Sequence, residues 1–359
     1  MSKSEMDGEY PQDTAVQDKY ELLSPVPLPH EQPFDDGIPA VLPVDVTYKA
    51  IPVRKRGLLP RLGLWWQATM TTLAANPKML TGVCILGFFV LVAIFGPLLL
   101  RHDPAAFSND LFQPPSSTHW LGTTQKGEDI FSQVVVGTRA SLLVGFVSAV
   151  GATALSVFFG MITGYFAGLV DDILSLVMNI FLVIPSLPLA IVLASFIPFK
   201  GPGPIIIVLL ITSWAWGARV LRSQTLTMRS RDFVQAARAV GETPAHIIFA
   251  EILPNEIALV SASFVSTFIY TILADITLEF LGLGDVSVTS WGNILYWAQN
   301  DQALLTGGWW LFIPPGLCIA LLGAGLAFLN YGIDDLANPR LRKERKPRPV
   351  KAAKKEATA

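Results

Sequence analysis

Charge is scarce in this sequence. Of its 359 residues only 15% are Asp, Glu, Lys or Arg, against about 25% in an ordinary soluble domain, and the mean hydropathy is +0.48. Such a chain cannot cover a water-facing surface along its whole length. Cysteine is nearly missing. Cys84 and Cys318 both sit inside long apolar runs, and neither has zinc or redox spacing. They are expected to be small buried hydrophobes. No G-x-x-x-x-G-K-[ST] stretch occurs, so this chain has no P-loop for ATP phosphates. H-E-x-x-H and G-x-S-x-G are missing too, and the four histidines (His30, His102, His119 and His246) are scattered. No catalytic residue, metal site or cofactor is expected. The opening MSKSEMDGEYPQD is acidic and polar, without a basic stretch leading into an apolar one. It is not expected to be a cleavable signal peptide, which leaves the first apolar run as both insertion signal and anchor.

Long apolar runs are what the sequence does have. Six of them occur, at about 79–100, 141–167, 173–199, 202–221, 257–279 and 309–333. About 20 residues suffice to cross a hydrocarbon core of about 30 Å, so the pattern predicts an all-α polytopic protein with six transmembrane helices. Lys and Arg set its orientation. If the amino terminus lies inside, the internal parts carry 22 of the 26 basic residues, and only Arg101, Lys126, Arg139 and Lys200 lie outside. The positive-inside rule therefore puts both termini in the cytoplasm. Trp65, Trp66, Trp214 and Trp216 are expected near the inner interface. Trp120, Trp291, Trp297, Trp309 and Trp310 are expected near the outer one.

Three regions follow. Residues 1–70 form a Pro-rich cytoplasmic tail, with nine prolines before residue 61 and no apolar periodicity. It cannot bury enough surface to offset its ordering entropy and is expected to be disordered. Its 54–66 stretch suits either a short interfacial helix or a plain basic flank. Residues 71–333 form the membrane domain, and residues 334–359 a basic cytoplasmic tail. Anionic lipid suffices to explain that tail, and no nucleic acid is called for. Within the domain, Pro185 and Pro188 interrupt the third run, and Pro314-Pro315 open the sixth. Freed carbonyls at such breaks are tolerated inside protein or along a water-filled cavity. A translocation path and ordinary packing kinks both fit.

The internal loop at 222–256 has structure of its own. Ser230 is a candidate N-cap, with Asp232 in the first turn. Phe233, Ala236, Ala237 and Val240 share one apolar stripe. Gly241 supplies a left-handed cap, and Thr243-Pro244 open a second helix with Ile247, Ile248 and Ile252 on one side. Pro254 is expected to end it, and Asn255 to cap the fifth membrane helix. A helix–Gly–helix joined to membrane helices at both ends reads either as a lever or as a loop packed under its own bundle.

QAARAVG followed by IIFAEILPN resembles the EAA motif of ABC-importer permeases. The stretch HWLGTTQKGEDIFSQVVVGTRASLL at 119–143, FLGLG at 280–284 with Trp291-Gly292, and NPRLR at 338–342 resemble signatures of the dipeptide/oligopeptide permease group. The likeness spans about residues 70–343. It departs where Thr124 and Glu128 replace Asp and Arg, where Gln133 replaces Arg, and where Glu251 stands for His. The resemblance implies a type I ABC importer permease in a prokaryotic plasma membrane. It implies a coupling segment at 230–255 that docks on an ATPase through Asp232, Gln235, Ala236, Ala237, Gly241, Glu242, Pro244, Leu253 and Pro254. The implied partners are a second homologous permease, two ATP-binding subunits, an extracytoplasmic solute-binding protein and membrane lipid.

Asp275 and Glu279 lie four residues apart, on one face of the fifth helix. Intramembrane carboxylates usually face a cavity or a partner. They fit an outward vestibule for a cationic solute group, or a structural site bonded to neighbouring helices. With Pro185 and Pro188 they are the candidates for the translocation path. One rival reading makes them the proton carriers of a secondary transporter. Another makes the chain a membrane scaffold that works through its long tail.

Overall fold

The computed structural model describes residues 76–337, with side chains to Asp334. The tail at 1–70, its 54–66 stretch and nearly all of the basic tail lie outside the described residues.

Helix α1 (Pro77–Phe95) opens with proline at its first position, where a missing N–H costs nothing. A 3₁₀ turn, Gly96–Leu98, follows. A long connection then leads to α2 (Ile130–Tyr165), whose N-cap Asp129 accepts from the Ser132 amide. Helices α3 (Leu169–Val183) and α4 (Ser186–Phe196) meet at an 89° bend. Next come α5 (Pro202–Met228) and the short α6 (Asp232–Ala239). Helix α7 runs unbroken from Pro244 to Phe280. Helix α8 (Trp291–Asn300), a 3₁₀ turn (Trp309–Leu311) and α9 (Ile313–Ala337) complete the order. Among the described residues there is no β-strand, only an isolated bridge between Thr123 and Asp129.

Five helices are long and apolar enough to cross a membrane, and the bent α3–α4 pair makes a sixth span if it is counted as one. The expected all-helical polytopic fold is therefore present, with changed boundaries. Helix α2 begins eleven residues earlier than the apolar run and has 36 residues, about 54 Å at 1.5 Å per residue. It outreaches the hydrocarbon core. Hydropathy missed its first three turns because Gln133, Thr138 and Arg139 dilute them. The third run is not straight. Pro185 has no N–H and forces Ile184 into the extended region, φ −74°, ψ 125°. Pro254 does not end a helix. The turn ahead of it, Ile247–Ile252, widens to π geometry and α7 continues through. Such a bulge accommodates a proline inside a helix. Pro314 and Pro315 are likewise harmless in the first turn of α9.

Small residues allow the helices to approach. A Cβ on Gly160 would lie 2.6 Å from the Ala218 carbonyl oxygen, and one on Gly217 would meet Ser156 Oγ at 2.7 Å. Helices α2 and α5 thus touch backbone to backbone, the usual basis of packing in lipid, where no hydrophobic force draws helices together. Ser156 Oγ donates to the Trp214 carbonyl at 2.6 Å and to Ala152 at 2.8 Å. The principal apolar cluster forms around Trp291, with Phe89, Ile130, Val134, Phe268, Ile272, Leu322 and Leu326. Trp214, Trp291 and Trp310 are buried in the bundle. Trp120, Trp216 and Trp309 stay exposed. Cys84 also departs from expectation. It is exposed on α1, while Cys318 is half-buried.

The α1–α9 contact has an equally tight point. A Cβ on Gly82 would fall 2.5 Å from the Gly325 carbonyl oxygen, whereas one on Gly87 would meet nothing within 4 Å. Gly82→Val is expected to cost about 1–3 kcal/mol and to lower the thermal midpoint of the detergent-purified protein. Gly87→Ala should leave that midpoint unchanged.

Candidate functional site at the α5–α7 junction

The 229–256 segment is seated on the end of α2. Val234, Ile247, Ile248 and Ile252 are buried against Met161, with Val157, Tyr165, Met228, Ala237 and Leu253 packed around them. Polar ties hold the same seat. The Arg238 guanidinium lies 4.7 Å above the Tyr165 ring, and its Nε donates to the Tyr165 hydroxyl at 3.2 Å. Gln235 Nε2 donates to the Arg229 carbonyl at 3.1 Å. At the base of α7, Glu256 is 1% exposed and accepts from Thr225 Oγ1 at 3.2 Å to each oxygen.

The local chemistry is largely as the residue pattern implies. Gly241 sits at φ +86°, a left-handed conformation that costs other residues roughly 1–2 kcal/mol. Thr243 caps the next turn by accepting from the His246 amide at 3.3 Å. Ser230 is not the cap of α6. That position belongs to Arg231, and Ser230 Oγ donates back to Thr227 instead.

The apolar stripe divides. Ala237 turns partly inward beside Val234, while Phe233, Ala236 and Val240 face out, Val240 at 79% exposure. Val234 is the anchor that the stripe left out. It lies three residues before Ala237, the spacing that reveals a second face. Asp232, Gln235, Gly241, Glu242, Pro244 and Pro254 are also exposed, and Leu253 is half-buried. The result is an outward surface with an apolar centre on a firmly anchored element.

Two arginines of α5 are tied to α3. Arg222 forms a two-pronged pair with Asp171 at 2.9 and 2.8 Å, joining α5 to α3. Arg219 donates to Asn179 of α3.

The four translocation-path candidates do not converge. Pro185 lines a cavity of about 480 Å³ with Ser186, Thr212, Ser213, Thr267 and Tyr270, and the Tyr270 hydroxyl donates to Ser186 Oγ at 2.9 Å. Pro188 is exposed and lines none of the cavities described. Glu279 lines a separate cavity of about 330 Å³ with Arg139 and Asp285. Ser290 Oγ donates to the Glu279 carboxylate at 2.6 Å. Asp275 is fully buried, and neither of its oxygens has a partner. Outside the spans, the Ser287 hydroxyl and amide donate to Asp285 and hold its carboxyl below the usual value.

Residues 156–343 match the family described as binding-protein-dependent transport system inner membrane component. The chain belongs to that family. Residues 64–115 match the N-terminal TM domain of oligopeptide transport permease C. The oligopeptide transport system permease protein OppC of Bacillus subtilis is 32% identical over 281 residues, which cover 77% of this chain and 90% of that one. The dipeptide transport system permease protein DppC of Alkalihalophilus pseudofirmus is also 32% identical, over 77% and 90%. The probable D,D-dipeptide transport system permease protein DdpC of Escherichia coli is 32% identical over 75% and 89%. A solved inward-facing MetNI methionine ABC transporter gives TM-score 0.47 at 17% identity, over 57% of this chain and 94% of that one, too slight a likeness to argue from. As a member of this family the chain is a membrane-embedded permease subunit of an ATP-driven importer. Membership decides against the proton-coupled reading of Asp275 and Glu279.

The Glu279–Ser290 bond and the unpartnered Asp275 should behave differently on substitution. Ser290→Ala removes the side-chain donor from a buried carboxylate and is expected to cost about 1–3 kcal/mol. Asp275→Asn keeps the shape and should leave the thermal midpoint unchanged or raise it. A fall comparable to that of Ser290→Ala would show that Asp275 has a partner.

Proposed function

We propose that this chain carries peptides or similar small solutes across the membrane by alternating access, driven by ATP that separate subunits hydrolyse. A second homologous permease would complete the path, two ATP-binding subunits would supply the force, and an extracytoplasmic solute-binding protein would deliver the solute. The oligopeptide and dipeptide permeases among the relatives support the solute class. The concentration of basic residues supports an orientation with both termini, α6 and the Gly241 turn in the cytoplasm.

The observation that carries the reading is the divided face of α6. One side is fastened to α2, α5 and α7 through Val234, which shares an apolar cluster with Met161, Met228 and Ile248, and through Arg238 on Tyr165. The other offers Phe233, Ala236 and Val240 to a partner. An element free on one side and clamped on the other transmits a push from a docked ATPase directly into membrane helices. Asp232, Gln235 and Glu242, exposed beside the apolar centre, would supply a polar rim, in the manner of protein interfaces generally.

Gly241 provides the test. A Cβ there would meet nothing within 4 Å, so Gly241→Val strains only the backbone. Membrane insertion and yield are expected to match wild type. ATP-dependent solute uptake in vesicles should fall at least tenfold, and the solute-loaded binding protein should no longer stimulate ATP hydrolysis. Undiminished uptake by this variant would remove the segment from the coupling path.

A further inference from the structure

The cavity at the α3–α4 bend combines hydrogen-bonding groups with an absence of charge. Its volume, about 480 Å³, suits a small-molecule site. Pro185, Thr212 and Thr267 on its wall stand near the middle of the apolar runs at 173–199, 202–221 and 257–279. The cavity therefore lies at mid-depth in the membrane, where lipid offers no hydrogen-bonding partner. Its described wall holds no charged side chain, whereas Arg139, Glu279 and Asp285 line the cavity toward the outer end of α7.

The bend itself supplies acceptors. Pro185 has no N–H to give the Phe181 carbonyl, and Pro188 has none for that of Ile184. No other backbone donor among the described residues takes their place, and Phe181 and Ile184 both line the cavity. Hydroxyls supply donors. Ser186 Oγ accepts from the Tyr270 hydroxyl at 2.9 Å, which leaves its own proton to give. Thr267, also on the wall, makes no side-chain hydrogen bond among the described residues. The Thr212 and Ser213 hydroxyls donate to carbonyls of α5, so their oxygens still accept.

We propose that this cavity holds the amide backbone of a peptide in transit. Ser186 and Thr267 donate to its carbonyls, and the untied carbonyls of the bend accept from its N–H groups. Every peptide unit brings one donor and one acceptor, and a wall with both kinds satisfies them together. A charged group gains nothing there to offset its loss of water. Such a wall reads what all peptides share and is indifferent to their side chains. The inference rests on the peptide reading given above and adds the place and the chemistry of contact.

A mixture of alanine peptides two to five residues long is the probe. The assembled transporter in vesicles carries alanine at Cys84 and Cys318 and the substitution Thr267→Cys. N-ethylmaleimide is expected to label this chain, and the peptides, with binding protein and ATP present, should slow the labelling severalfold. In the native background, Thr267→Val keeps the shape but loses the hydroxyl. It should lower maximal uptake of the mixture roughly tenfold, the worth of one hydrogen bond, with an unchanged thermal midpoint, and Thr267→Ser should restore the rate. Labelling that peptides do not slow, no labelling at all, or full uptake by Thr267→Val combined with Ser186→Ala overturns the proposal and leaves the coupling role of α6 standing. A wild type that takes up none of the peptides would remove the peptide reading, and this inference with it.

Discussion

The backbone-to-backbone contact of α2 with α5 is what the rest of this bundle depends on. Gly160 admits the Ala218 carbonyl, and one turn further on Gly164 admits Thr225. Helices this close share polar groups as well. Thr225 reaches Glu256 of α7, and Tyr165 at the end of α2 receives Arg238 of α6. A bulky residue anywhere along this line would separate two spans and lift the seat of α6 with them. In lipid there is little hydrophobic attraction to reassemble such a contact, so small residues are the constraint and apolar bulk is secondary.

This line also explains how a short segment can matter mechanically. Helix α6 has only eight residues, too few to be stable alone in water. Its order comes from Val234 and the isoleucines beneath it, packed on Met161. A force applied to Phe233 or Val240 meets a rigid base rather than a yielding loop. Gly241 then sets the angle between α6 and the long α7, whose π turn at Ile247–Ile252 carries the chain past Pro254 without a break.

Much of the fold was legible because apolar runs of this length have few alternatives in a chain so poor in charge. The chemistry of single turns was legible too. Gly241, Thr243 and Pro244 each occupy the role that their residue type dictates. What stayed hidden depends on partners distant in sequence. Asp129 starts α2 well before the apolar run because its cap is bonded to His119. Arg222 serves Asp171, 51 residues away. Proline was ambiguous for a physical reason. Pro185 bends the chain by 89° while Pro254 is absorbed by a widened turn, and one residue type gives both results. Pro185 and Glu279 line different cavities, since helix periodicity fixes a face but not the neighbour that covers it.

The central claim is that the outward face of α6 receives a nucleotide-hydrolysing subunit. Site-directed cross-linking tests it most directly. With Cys84 and Cys318 replaced by alanine, a single cysteine at Val240 in the assembled transporter should form a short cross-link to the ATPase subunit, in a yield that changes with bound nucleotide. A cysteine at Trp120, also exposed but on the α1–α2 connection, should not. Cross-linking of Val240→Cys to membrane subunits alone, with none to an ATPase in any nucleotide state, would contradict the account.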